Sequence, residues 1–441
     1  MTAISSLTSL TLDLPPSCVQ FSPRHPNFFV VGTYYLHGKE QQGDLATEIT
    51  GPASDVAGDN DEDPITAPSQ PQKRTGSLIL FKVENDQITR LSATATDFAI
   101  LDIQWARHSD GLGDLLAVAT STGLLAFYRL RVAAGSGFGA ELDLSSTHVI
   151  ADPAVLVPSL TWHPTRAQVL GVTLSDGSVQ LCVCEGPQEA SELWTQDAVI
   201  RTTTIHSHEL EAWTLAFAPI SAEAEAQGTK VLSGGDDIAL QCSHINDTDT
   251  ATATNEPTLL WRDRKLHDAG VTAILPLSES LIVTGSYDDY IRLLSIPTPT
   301  TGGHRQVLAE LNLGGGVWRL KVLHAAGGAA GEVVAEGLDL ATFYSALSAS
   351  AAVPTRSSIV LLCSCMHAGT RVVRLSFAPK KNDDGVWTFE VLAKFEEHGS
   401  MNYGSDVQPV AKGIGERMVV STSFYDKVMC LWRVDGELWR L

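Results

Sequence analysis

Short apolar runs broken by small-residue turns recur along the whole chain, and within each run the large aliphatic side chains tend to fall at every second position. The clearest case is LIVTGSYDDYIRLLSI, from Leu281 to Ile296: an apolar strand, a Gly/Ser/Asp turn, then an alternating strand. It is echoed by LSGGDDIALQCS from Leu232 and STSFYDKVMCLWRV from Ser421, and more weakly by VTLSDGSVQLCVC from Val172 and VATSTGLLAFYRL from Val118. Period-two patterning with β-branched residues predicts half-buried strands, and Asp and Gly suit turns because they tolerate positive φ and bond the local backbone. A strand-rich unit recurring at this period predicts the blades of a β-propeller.

Laid along the chain, the pattern divides into seven four-stranded units whose first strands start at Ser17, Ala99, Val157, Glu211, Gly270, Gly315 and Tyr403. The expected fold is all-β: one seven-bladed WD-repeat β-propeller over residues 1–441. The last unit lacks a fourth strand, and the alternating SLTLDL of Ser9 to Leu14 is expected to supply it and close the ring. In the third unit the fourth strand is placed near Trp194. Residues 37–75, poor in large apolar side chains and carrying DNDED, and the Ala/Gly/Ser-rich 324–356 are read as disordered insertions. A parallel α/β fold would need amphipathic helices between strands, and only Ala341 to Ala351 looks helical.

Charge changes the picture more than composition does. Lys and Arg number 30 against 51 Asp and Glu, a net charge of −21, which disfavours nucleic acid and favours a cationic partner. Seven cysteines, mostly in apolar runs, read as reduced core thiols, including the i, i+2 pairs Cys182/Cys184 and Cys363/Cys365. No apolar run is long enough to span a bilayer, and MTAISSLTSLTLDLPP lacks the features of a signal peptide. The expectation is a cytoplasmic monomer with no cofactor and no metal.

No nucleophile elbow, zinc-protease, P-loop or dinucleotide motif is present. Four clusters nevertheless hold chemistry. In HSHELEAWTLAF, His208 either braces its turn with Asp236 or Asp237 or acts as a base, while Glu211 and Trp213 offer a carboxylate and a π face suited to a quaternary ammonium group. In GSYDDY, Asp288 and Asp289 are turn residues flanked by Tyr287 and Tyr290. GGGVWR is either a plain loop or a place where backbone N–H groups of Gly315 and Gly316 and the Arg319 guanidinium meet an anion. In CSCMHAG, His367 stands where other repeats put Asp, and is either a tolerated polar turn residue or a general base.

The ordered set HELEAWTLAF, SGGDD, HDAGVTAI, TGSYDDYIRLL, GGGVWRLK, CMHAG, YGSDV and STSFYDKVMCLW, with SCVQF and VGTYYL ahead of it, resembles the WD-repeat diphthine methylesterase family of diphthamide biosynthesis. The resemblance is densest from His206 to Trp432. It implies hydrolysis of the methyl ester of methylated diphthine on translation elongation factor 2, whose side chain carries a trimethylammonium group. Under that implication His367 activates water, Cys365 or Ser364, with His208 and Asp236 as the alternative base pair. Arg319, Gly315 and Gly316 receive the oxyanion. Glu211, Trp213, Asp237, Tyr287, Trp318 and Tyr403 bind the substrate. The alternative is a non-enzymatic WD-repeat scaffold, linked to endosomal recycling.

Overall fold

The computed structural model describes residues 2–37, 72–106, 111–133, 139–186, 189, 192–218, 228–245, 256–296, 304–327, 333–335, 357–378, 385–409 and 415–439. Seven antiparallel sheets succeed one another around an axis, each running from an inner to an outer strand. Blade 1 consists of Pro16–Phe21, Phe28–Thr33, Arg74–Glu84 and Gln87–Thr96. Blade 2 is Ile100–Trp105, Leu115–Thr120, Leu124–Val132 and Ala140–Val149. Blade 3 is Ser159–Trp162, Val169–Thr173, Ser178–Glu185 and Val199–Ser207.

Blade 4 follows with Ala212–Phe217, Thr229–Gly235, Leu240–Ile245 and Thr258–Asp263. Blade 5 has Val271–Pro276, Leu281–Ser286, Tyr290–Ser295 and Gln306–Asn312. Blade 6 has Arg319–Gly327, Ser357–Ser364, Thr370–Ala378 and Val386–Phe395. Blade 7 has Gly404–Val407, Arg417–Ser423 and Val428–Val434, completed by Ser6–Thr11 from the N-terminus. The inner strands of blades 7 and 1 touch, so the ring is closed.

Burial explains the sequence pattern. Second strands such as Phe28–Thr33 and Leu115–Thr120 are buried at every position because a neighbouring blade covers each face. Outer strands such as Ser6–Thr11 alternate because one face meets solvent. The apolar core is accordingly a set of seams between adjacent blades: in one blade-6 strand, Ile359 and Leu361 pack toward blade 5 while Val360 and Leu362 pack toward blade 7. The Gly of GSYDD follows from the same geometry. A Cβ on Gly285 would lie 2.6 Å from Val317 Cγ1, where the inner strand of blade 6 crosses.

Three sequence expectations are corrected. The closing strand is Ser6–Thr11, earlier than Ser9 to Leu14, and Thr2–Ile4 additionally pairs in parallel with Val386–Phe395, so the N-terminus ties blade 6 as well as blade 7. The fourth strand of blade 3 is Val199–Ser207; Trp194 instead sits at φ 60° with its buried ring 4.9 Å from Phe127, plugging the seam between blades 2 and 3. At the edges of the two insertions, Arg74 already belongs to a strand, and Arg319–Gly327 and Val333–Ala335 lie within 324–356 or run into it. Residues 38–71, 328–332 and 336–356 of the insertions, and with them the helical reading of 341–351, lie outside the described residues. Among the described residues no helix is long and apolar enough to cross a membrane.

Candidate functional site

One repeat position organises the end of the ring where the inner strands begin. In six blades a residue one or two places after the second strand donates its backbone N–H to a carbonyl just ahead of its own blade's inner strand: Tyr34 to Pro15, Ser121 to Ala99, Ser175 to Leu156, Asp236 to Glu211, Tyr287 to Gly270 and Phe424 to Met401. The backbone is equivalent in these blades, whereas the side chains are not: aromatic in blades 5, 7 and 1, acidic in blade 4, and serine in blades 2 and 3.

A second position lies beside it. The inner strands of blades 1, 2, 4 and 5 each carry a bulge near their start, at Ser17, Leu101, Trp213 and Thr272. A bulge re-aims the extra side chain. Ser17 and Thr272 use theirs to hydrogen-bond a carbonyl of the next blade, at Ile100 and Val317, each at 2.6 Å. Trp213 instead donates Nε1–H to Asp236 Oδ1 at 2.7 Å. Trp318 and Tyr403 immediately precede the inner strands of blades 6 and 7.

Together these positions form an aromatic arc. Ring centroids are 5.5 Å apart for Trp213 and Trp318, 6.5 Å for Trp213 and Tyr287, 5.9 Å for Tyr287 and Trp318, and 5.1 Å for Trp318 and Tyr403. The arc continues through Phe424, 5.4 Å from Tyr403 and 6.2 Å from Tyr34. No pair is stacked, with interplanar angles from 46° to 85°, so no face is covered by a parallel ring. Burial raises the pKa of Asp236, opposed by the Trp213 hydrogen bond and reinforced by Glu211 and Asp237. Burial likewise raises Tyr287, with Asp236, Tyr403 and Glu211 adding to it, and pushes Tyr403 to about 12. Carboxylates beside π faces make an electronegative lining that suits a cation without acidic protons.

Of the sequence candidates, the structure therefore brings together Glu211, Trp213, Asp236, Tyr287, Trp318 and Tyr403. Others it places elsewhere. His208 is buried, with Nδ1 2.8 Å from Asp237 Oδ1 and Nε2 2.7 Å from Ser233 Oγ; its partner is Asp237, not Asp236, and both ring nitrogens are engaged in bracing the turn. Asp237 is likewise committed, to His208, Arg262 and the Glu209 N–H. Arg319 forms a two-pronged pair with Asp102 across the axis, at 2.9 and 3.2 Å. Gly315 and Gly316 are buried against the 365–368 turn, where a Cβ would meet Cys365 O at 2.4 Å and Met366 Sδ at 2.7 Å. Close packing against this turn therefore accounts for the glycines at both positions.

His367 is exposed on that turn, and among the described residues no hydrogen bond, ion pair or ring contact joins it to the arc. Cys365 is fully buried with its thiol pushed up to about 12 by burial, and Ser364 Oγ is buried and bonded to Ser405 Oγ. A nucleophile must be accessible and its base adjacent, so this trio is not an assembled catalytic unit.

Sequence reasoning missed Phe424 and Tyr34, and also Asp102 and Asp406. Beneath the arc the last two pair with Arg319 and Lys321, and a small crevice of about 40 Å³ is lined by Asp102, Arg319 and Lys321 together with Cys18 and Tyr403. Asp102 had a signal, as the one acid in the inner strand ILDIQW. Among the described residues no cluster of three or more His, Cys, Asp or Glu is arranged to hold a metal.

No family model matches the chain. A protein named diphthine methyltransferase from Schizosaccharomyces pombe is 29% identical over 362 residues, covering 81% of this chain and 86% of its own. Its namesake from Saccharomyces cerevisiae is 27% identical over 402 residues, covering 82% and 89%. A diphthine methyltransferase homolog from Dictyostelium discoideum is 25% identical over 450 residues, covering 96% and 97%. Among solved structures, Sqt1 from Chaetomium thermophilum superposes with a TM-score of 0.55 at 11% identity, covering 98% of this chain and 100% of that one. The WD40 propeller domain of Doa1 gives 0.52 at 11%, covering 100% of both. These structural likenesses concern the fold alone.

The relatives are named for methyl transfer, which corrects the ester hydrolysis, and with it the carboxylic ester hydrolase class, expected from the sequence resemblance. The fold is a seven-bladed WD40-type propeller, and along most of its length the chain is similar to proteins named diphthine methyltransferase.

Proposed function

We propose that this protein takes part in methyl transfer at diphthine, the modified histidine of translation elongation factor 2, and receives the trimethylammonium group of that side chain in the aromatic arc. The observation that carries the reading is the convergence of Trp213, Tyr287, Trp318 and Tyr403, from four successive blades, beside Asp236 and Glu211. A quaternary ammonium has no N–H to donate, so a site for it relies on π faces and diffuse negative potential, which this lining supplies. The names of the relatives support the same chemistry. Its setting in this reading is cytoplasmic, where elongation factor 2 works.

Mass spectrometry of the diphthine-bearing peptide of elongation factor 2, from cells lacking the protein and from cells carrying Trp318→Ala, tests the proposal. A methyl count that changes on deletion and changes likewise in Trp318→Ala is expected. An unaltered count in the deletion strain refutes it.

A further inference from the structure

The aromatic arc does not stop at the mouth of the ring. Phe424 touches Tyr425, centroid to centroid at 5.0 Å, and Tyr425 is 68% exposed. Across the same seam, the blade 1 hairpin extends past its second strand. Tyr35 and Leu36 pair with Thr75 and Arg74 in a two-residue ladder and are 40% and 42% exposed. Arg74 Nε donates to Tyr34 Oη at 2.8 Å, which fixes the base of this projection against the Phe424 side. The next two blades are different: the turns of blades 2 and 3 are small and polar, built on Ser121 to Gly123 and Ser175 to Gly177, with both glycines at positive φ. An exposed aromatic cluster joined to a binding mouth is the composition of an interface core, whereas singly exposed apolar residues carry no such meaning.

We infer that the rim formed by Tyr35, Leu36 and Tyr425 is the docking surface for the polypeptide flanking the modified residue, so that the partner protein leaves the mouth over blades 7 and 1. The inference rests on the proposed function in one respect: the occupant of the mouth is a side chain of a protein, so its flanking chain must cross some sector of the rim. The continuous ring contacts from Trp318 through Tyr403 and Phe424 to Tyr425 select this sector. Interface energy concentrates in such aromatic anchors.

The test uses the full-length protein and two probes: elongation factor 2 bearing diphthine, followed by calorimetry, and tetramethylammonium chloride, followed by tryptophan emission. The double substitution Tyr35→Ala/Tyr425→Ala should weaken the factor about tenfold, or ~1.4 kcal/mol, and leave tetramethylammonium affinity within about twofold. Asp176→Ala, on the polar turn of blade 3, should change neither. Unchanged factor affinity in the double variant, with its melting temperature retained, overturns the inference, as does an equal loss for both probes. If wild-type protein ignores tetramethylammonium but the double variant still loses the factor, the cation reading of the mouth fails while the docking surface stands.

Discussion

Trp318→Ala removes the arc at its centre. The Trp318 ring lies within 6 Å of Trp213, Tyr287 and Tyr403, so alanine there separates the blade 4 and 5 rings from Tyr403. A partly desolvated cation–π contact contributes about 2 kcal/mol, so affinity for a quaternary ammonium ion should fall about 30-fold. Because Trp318 is only half-buried, stability should fall by less than the roughly 3–5 kcal/mol of a buried Trp→Ala change. Trp318→Phe keeps a π face and should recover affinity to within about fivefold of wild type.

The assay is calorimetric titration with choline, matched against 3,3-dimethyl-1-butanol, its neutral isostere. Wild-type protein should bind choline and not the alcohol, which separates charge from shape. Equal binding of the two ligands, or choline affinity unchanged within twofold in folded Trp318→Ala protein, would refute the cation reading.

Three further outcomes follow from the same environment. Since burial raises the Asp236 pKa, protonation favours the fold: the stability it contributes is present below the unfolded value and lost as pH climbs through the folded one. Choline binding should strengthen over that same rise as the carboxylate forms, and Asp236→Asn should flatten the profile in a pH series. Asp237 behaves oppositely, because although burial pushes its pKa up, bonds from His208, the Glu209 N–H and Arg262 outweigh this and hold it well below the usual carboxylate value. Its stability is present above the unfolded value near 4 and lost as pH falls, and Asp237→Asn should cost about 3–5 kcal/mol in urea denaturation at pH 7, since it strands buried partners. All seven cysteines are buried, and burial pushes Cys18, Cys182, Cys242 and Cys365 to about 12, so the native protein should be silent to Ellman's reagent and release seven thiols in guanidinium; prompt native reaction would contradict this.

The blades were legible because each second strand is covered on both faces and each turn needs Asp or Gly, so packing itself writes the repeat into the chain. Trp194 was misread for the opposite reason. Its role in plugging a seam depends on Phe127 and Trp162, distant in sequence, and local pattern has no access to that. The reading of His367 was limited in a related way. A departure from the repeat marks a position as different, but it does not say what the side chain touches, and here it is exposed on its turn with, among the described residues, no bond to the arc.

The more informative departures were those at positions whose backbone does not change. Asp236, Tyr287, Phe424 and Tyr34 all donate the same main-chain hydrogen bond that Ser121 and Ser175 donate in blades 2 and 3. Nothing in blade folding requires a large ring there, since serine satisfies the same backbone geometry. At the bulge, Ser17 and Thr272 tie one blade to the next, and Trp213 gives up that tie for a bond to Asp236. Side chains that forgo a stabilising contact at a position where a smaller residue makes it are held there by something other than the fold. Their clustering over blades 4 to 7 and blade 1, with none in blades 2 and 3, gives the ring a chemically one-sided mouth, as a ligand that enters attached to a protein from one direction would require.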